Sequence, residues 1–317
     1  LVKSAKSSPK AAILRAWPAN KSNHSPARSR NWRLHIPKPT PSKKDVCSEP
    51  NSFPYPNFSS PAPQGGALER MRYKRVLLKL SGEAISGSHD TGFDPQALEH
   101  ISDEVLNLHA RGVEVSIVIG GGNIFRGTLA SQWGIERAEA DNIGTMGTVI
   151  NSLMLRGVLT SKSDGKVEVR VMSAIPINTV AEPFIRLRAI HHLAKKYIVI
   201  FAAGIGNPYV TTDYPGVQRA LEIRADAILY AKHRTDGVHT DDPNKNPESK
   251  RYQQVNYSTV VQRNLGALDQ SAVILARDNG LPIHVFDFDQ KGSMARVIKG
   301  ENIGTLISNV HEDIIAD

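Results

Sequence analysis

Along residues 71–317, short runs of consecutive apolar residues alternate with longer stretches in which apolar residues recur every third or fourth position. "RVLLKL" from Arg75 is the first such run. "VEVSIVI" (113–119), "VEVRVMS" (167–173), "YIVIFAAG" (197–204), "AILYA" (227–231), "PIHVFDF" (282–288) and "GTLIS" (304–308) follow it. These runs predict β-strands, and the continuity of "VEVSIVI" predicts burial on both faces. In "DPQALEHISDEVLNLHARG" (94–112), Leu98, Ile101, Val105 and Leu108 recur at helical spacing. Asp94 suits the N-cap there, Pro95 the first turn and Gly112 the stop. Helices are also predicted near 142–158, 183–194, 215–224, 257–264 and 269–279, with a short one over "SMARVIK" (293–299).

Strand, helix, strand in this rhythm means a parallel or mixed sheet covered by helices. No linker interrupts 71–317, so one domain is expected. Open sheets of this kind bind ligands beyond the carboxyl ends of their strands. The chemically suggestive residues fall there: Lys79-Leu80-Ser81-Gly82, Gly120-Gly121-Gly122, and Gly204-Ile205-Gly206-Asn207. Three glycine-bearing loops are therefore expected to converge on one edge.

Composition divides the chain in two. Residues 1–70 hold 12 of the 39 Lys and Arg but 3 of the 31 Asp and Glu, so they carry +9 of a total of +8, and the body is near neutral at −1. A nucleic-acid-binding reading of the body loses its support. The leader also holds 11 of the 19 prolines and 11 serines, too little apolar material to offset ordering entropy, so disorder is expected. Three readings stay open for it: an organelle transit peptide, a basic tail for anionic partners, or upstream sequence preceding a true start at Met71. Localisation follows that choice: cytoplasmic for a start at Met71, organellar (plastid) for a transit peptide. The one cysteine, Cys47, lies in the leader, so the body has neither disulfide nor thiol nucleophile. No apolar run approaches the ~20 residues of a membrane span.

"VIGGGNIFRG" (118–127) fails two familiar nucleotide motifs. The dinucleotide fingerprint needs glycine at Phe125, and the Walker pattern needs lysine at Thr128. Glycine triplets also end strands for steric reasons alone. Arg126 strengthens the anion-site reading, because its fork of donors fits phosphate. Lys79 inside an apolar strand either snorkels to solvent or emerges at the ligand edge. Asp141 is an N-cap or a ligand group, and Thr211-Thr212-Asp213 is a helix start or an anion site. "TDGV" (235–238) reads as a turn, and His191-His192 as a helix surface with no metal.

Taken together, "YKRVLLKLSGEAISG", "VIGGGNIFRG", "ADNIGTMGTVINSL", "GNPYVTTD", "DGVHTDDP" and "LDQSAVILARDNGLPIHVF" resemble, in order and spacing, the bacterial-type UMP kinases of the amino acid kinase superfamily. The resemblance implies an α/β three-layer sandwich with a central, mostly parallel eight-stranded sheet, assembled as a homohexamer. It implies transfer of the ATP γ-phosphoryl group to UMP in pyrimidine nucleotide synthesis, with Mg²⁺ carried by ATP and no separate protein metal site. By resemblance Lys79, Arg126, Asp213 and Asp269 are catalytic. ATP is held by Lys79, Leu80, Ser81, Gly82, Gly122, Arg126, His233, His239 and Asp242. UMP is held by Gly121, Asp141, Ile205, Gly206, Asn207, Pro208, Tyr209, Val210, Thr211 and Thr212. "ISGSHDTGFD" (85–94) corresponds to the region of a GTP activator, with UTP as an inhibitor. No membrane and no nucleic-acid partner is implied. Two loops depart from the family pattern: "IGNPYVTTD" stands for "TGNPFFTTD", and "LYAKHRTDG" for "LKATKVDG", with Tyr230 in place of a lysine. The rivals are a sister kinase with an amino-acid or carbamate acceptor and a non-catalytic RNA-associated protein on this fold. Side chains at Gly121 and Gly122 are expected to obstruct two approaching anions.

Overall fold

Every run read as a strand forms one in the computed structural model, which describes residues 71–316 apart from Arg234 and Asn244. The expected leader, residues 1–70, lies outside the described residues. The chain begins with β1 (Arg75–Leu80), α1 (Glu83–Ser86), α2 (Pro95–Ala110), β2 (Glu114–Ile119), α3 (Gly127–Gln132) and α4 (Arg137–Lys162). It continues through β3 (Val169–Ser173), β4 (Glu182–Pro183), α5 (Arg186–Ala194), β5 (Ile198–Ala202), α6 (Asp213–Glu222) and β6 (Ala227–Lys232). The last part is β7 (Tyr252–Asn256), α7 (Tyr257–Gln262), α8 (Gln270–Asn279), β8 (Ile283–Asp287), α9 (Ser293–Lys299), β9 (Thr305–Ser308) and β10 (Ile314–Ile315).

All the strands join one sheet in the order β10-β7-β9-β8-β6-β1-β2-β5-β3-β4. Eight carry the architecture, and β4 and β10 are two-residue additions at its edges. Among the described residues the pairs β8–β9 and β7–β10 are antiparallel and the others parallel. From β1 the chain moves to β2 on one side and later returns with β6 on the other. That reversal opens a crevice at the carboxyl ends of the central strands. The register puts those ends level, since Lys79 lies opposite Val118 of β2 and Tyr230 of β6.

The alternation of β1 sets its two faces. Val76, Leu78 and Leu80 pack with Ile101, Val105, Leu155 and Leu159 of α2 and α4. Leu77 joins the opposite layer with Val217, Ala220, Ala272 and Ala276 of α6 and α8. Lys79 shares a face with Leu77, which directs it toward the start of α6.

Four differences from the sequence reading have physical causes. Helix α4 starts at Arg137, not near 142, because Asp141 and Gly144, which look like breakers, are carried by a 26-residue helix packed on the sheet. Strand β7, "YQQVN", was not expected, since its polar positions show no continuous apolar run. Helices α1 and α3 have four and six residues, too few for a periodicity. The segment from 183 is a short strand before α5 begins at Arg186. The predicted cap of α2 forms: Asp94 Oδ1 accepts from the amides of Gln96 (2.8 Å) and Ala97 (3.3 Å).

Candidate active site

Lys79 does not snorkel. It is 8% exposed, and its ammonium lies 2.5 Å from Asp213 Oδ1. Asp213 is the first residue of α6 and Asp269 the N-cap of α8, so the two helix starts present carboxylates side by side. The Asp269 amide donates to Asp213 Oδ2 (3.2 Å), and Thr211 Oγ1 donates to Asp269 Oδ2. Burial pushes the Asp213 carboxyl up, but the Lys79 ammonium, its hydrogen bond and the Lys232 charge outweigh this, and the pKa falls below the usual value. Tyr230 is fully buried beneath this group and donates to the Asp213 carbonyl (3.0 Å). Burial, then the charges of Asp213 and Asp269, hold its hydroxyl well above the usual phenol range, so it remains a neutral donor.

The sequence reading missed Lys232, the last residue of β6. Burial, then the nearby Lys79 charge, lower its pKa, while Asp213, Asp269 and Glu83 oppose the shift. The carboxylate pair therefore faces two ammonium groups, one from each strand flanking the crevice. Lys232 lies two residues beyond Tyr230 on β6, and its charge acts on Asp213 and Asp269. That i, i+2 relation was the available signal.

The glycine loops meet as expected. The Gly120 amide donates to the Leu80 carbonyl (2.9 Å). A Cβ at Gly120 would lie 3.1 Å from the Gly82 nitrogen and 3.5 Å from Thr212 Oγ1. One at Gly82 would lie 2.7 Å from the nitrogens of Gly122 and Asn123, too close for any side chain. Ser81 Oγ accepts from the Ala84 amide (3.2 Å), turning the chain after β1. Two buried amides brace the loop: Asn151 of α4 donates to Gly120 O (2.7 Å) and to Asn123 Oδ1 (2.6 Å), and Asn123 reaches Gly92 O (2.8 Å). The protein's own packing separates glycines 121 and 122. A Cβ at Gly121 would collide with the Gly144 carbonyl oxygen of α4, while one at Gly122 meets nothing within 4 Å. Packing against α4 alone already demands glycine at 121.

The loop after β5 is held in an unusual conformation. Ala203 (φ 63°), Gly204 (φ 54°), Gly206 (φ 81°) and Tyr209 (φ 65°) all lie in the left-handed region, which costs Ala203 and Tyr209 free energy. Thr148 Oγ1 of α4 accepts from the Ala203 amide (2.8 Å), and Asp141 Oδ2 accepts from the Tyr209 amide (2.7 Å). Asp141 is therefore not an N-cap; it lies inside α4 and ties that helix to the loop, with Arg137 at 3.7 Å. Asn207, Tyr209, Val210 and Thr211 of this loop are exposed, and Ile205, Gly206, Pro208 and Thr212 are half-buried.

The remaining predicted residues lie farther out. Arg126, half-exposed, pairs with Glu83 (3.1 Å). His233 at the end of β6 bonds Asp289 (2.8 Å), His239 bonds Asp236 (2.7 Å), and Asp242 pairs with Lys245 (3.2 Å). No bond between described residues joins His239 or Asp242 to the Lys79 cluster. His192 pairs with Glu182 (3.0 Å), so only His191 of the helix pair is fully exposed. Among the described residues, no group of three or more His, Cys, Asp or Glu is arranged to hold a metal. No described helix is long and apolar enough to cross a membrane. A cluster of ammonium groups, helix starts and backbone amides at one sheet edge can bind and neutralise polyanions.

Residues 74–287 match the model of the amino acid kinase family. A curated uridylate kinase from Frankia alni is 55% identical over 236 residues, covering 74% of this chain and 91% of that protein. The uridylate kinase of Pediococcus pentosaceus is 42% identical, with 76% and 98% covered. The crystal structure of UMP kinase from Bacillus anthracis superposes with a TM-score of 0.75 at 58% identity, covering 77% of this chain and 99% of that one.

Proposed function

The chain belongs to the amino acid kinase family, in its uridylate kinase branch, and from that premise we propose that it transfers the γ-phosphoryl group of ATP to UMP, giving UDP and ADP. The observation that carries the reading is the buried Lys79–Asp213 pair at the crevice between β1 and β6, with Lys232 beside it. The acceptor is a phosphate oxygen mostly ionised near neutrality, since the second pKa of a phosphomonoester is about 6. No general base is needed. The difficulty is bringing two polyanions together in line, and the remedy is positioned positive charge.

In this reading Lys79 and Lys232 neutralise charge on the transferring group, and Asp213 and Asp269 hold the lysines in place. Arg126 and the amides of Ser81, Gly82 and Gly122 take the ATP phosphates. His233, His239 and Asp242 lie toward the adenine nucleotide. Gly121, Asp141 and the loop from Ile205 through Thr212 hold UMP. Mg²⁺ bound with ATP supplies charge neutralisation on its phosphates. Two adjacent carboxylates, Asp213 and Asp269, would offer oxygen ligands to an ion that arrives with its nucleotide.

Residues 71–317 form the catalytic unit of this reading. Assembly as a homohexamer is supported by exposed Ile143, Met146, Ile150 and Met154, which line one face of α4. Activation by GTP through 85–94 is supported by the Asn123–Gly92 bonds that join that segment to the glycine loop; UTP acts as an inhibitor. An acceptor panel of UMP, CMP, acetylglutamate and carbamate tests the function. UMP is expected to have the highest kcat/KM, and preference for any other acceptor overturns the reading.

A further inference from the structure

Buried arginines are rare unless paired, and Arg219 of α6, 5% exposed, has three partners that no phosphate-binding role explains. Its Nη1 lies 2.5 Å from Glu222 Oε2, one helical turn on. Its guanidinium lies 3.7 Å from the centroid of the Phe184 ring, which packs edge-on against Phe201 of β5. Its Nη2 donates to the Gly204 carbonyl (3.0 Å). Gly204 is the centre of the left-handed turn after β5, and its amide neighbour Ala203 is held from the other side by Thr148 of α4.

We propose that Arg219 is a positioning residue for the acceptor: clamped by Glu222 and Phe184, it fixes the Gly204 carbonyl and so holds the loop from Ile205 to Thr212 in the shape that receives UMP. This rests on the assignment of that loop to UMP. The left-handed residues of the turn are unfavourable on their own, so the turn persists only when its surroundings over-determine it. Thr148 and Arg219 supply two such restraints, from helices on opposite faces of the sheet. Arg219 acts through geometry and not as an added cation, because Glu222 balances its charge. A lysine in its place keeps the charge but cannot reach Glu222 and Gly204 together, since it lacks the planar fork.

The test is steady-state kinetics of the full chain carrying Arg219→Lys or Glu222→Gln, with thermal unfolding measured alongside. Arg219→Lys is expected to raise KM for UMP about tenfold, the scale of one hydrogen bond to a charged group, with kcat within about twofold and KM for ATP unchanged. Glu222→Gln frees the guanidinium with almost no change of volume and is expected to raise KM for UMP by about threefold. It carries the test if Arg219→Lys does not fold. Unchanged KM for UMP in a folded variant, or equal rises for UMP and ATP, overturns the proposal while the functional reading stands. A wild-type chain that makes no UDP overturns both.

Discussion

Replacing Lys79 with methionine keeps the length of the side chain and removes its charge, leaving Asp213 in a site where its side chain is 13% exposed. Breaking a buried ion pair from one side costs up to about 3–5 kcal/mol, and here the Lys232 charge still compensates Asp213 in part. For a domain of this size that corresponds to a fall in Tm of up to about 10 °C. The pH dependence identifies the cause. In the wild type the Asp213 pKa lies below the ordinary 3.8, so its contribution to stability is present above 3.8 and is lost as pH falls through the lower folded value. In the Lys79→Met chain the effect of burial is no longer outweighed by Lys79 and the carboxyl titrates higher. Lowering the pH from about 7 to 5 then brings the stranded group nearer to protonation and narrows the gap in Tm. Circular dichroism melts of both chains at the two pH values provide the assay. Adding Asp213→Asn to Lys79→Met is expected to recover most of the lost stability and none of the activity, which falls at least ~100-fold. A gap that is equal at both pH values, or smaller than about 2 °C, refutes the uncompensated-charge argument.

Arg126→Ala is expected to reduce UDP formation by about 100-fold while moving Tm by less than about 2 °C, because its pair with Glu83 is solvent-exposed and worth little. Gly121→Ala drives a methyl group into the α4 backbone and is expected to cost about 2 kcal/mol of stability; Gly122→Ala leaves stability unchanged, which paired urea melts can compare. Lys232→Met is expected to lower kcat with UMP by about 10- to 100-fold and to leave the fold intact, read by initial rates beside a thermal melt. His284, fully buried against the Tyr73 hydroxyl, has its pKa pushed down to about 3 by burial and then by Arg72. The unfolded chain therefore binds the extra proton between about 6.5 and 3, and stability falls as the pH is lowered through that window, by up to about 1.4 kcal/mol per unit. Urea melts of wild type and His284→Gln at pH 6.5 and 5 are expected to show the steeper loss in the wild type.

The sheet was legible because its central strands are buried on both faces and read as largely apolar runs, as "VEVSIVI" does with only Glu114 and Ser116 interrupting it. Strand β7 was not, because Gln253, Gln254 and Asn256 break the run and only Tyr252 and Val255 are buried. At the site, the glycine loops announced themselves by composition, and strand ends fixed where they meet. The Lys79–Asp213 pair joins residues far apart in the chain, so its geometry depends on β1 facing α6, which no local pattern encodes. Lys232 follows the apolar run "AILYA" and is drawn into the site only by the packing of β6 beside β1. Arg219 lies in a helix that the sequence places near 215–224, and only the packed structure shows it buried on Phe184. Of the two readings of Asp141 only the cap fails, because the helix had already begun at Arg137.

The most direct measurement is the product ratio when the chain is incubated with ATP, Mg²⁺ and UMP and the nucleotides are separated. Phosphoryl transfer to UMP at the β1–β6 crevice predicts one UDP for each ADP in the wild type and neither product above background in Lys79→Met. ADP accompanied by inorganic phosphate without UDP, or undiminished UDP from the Lys79→Met chain, contradicts it.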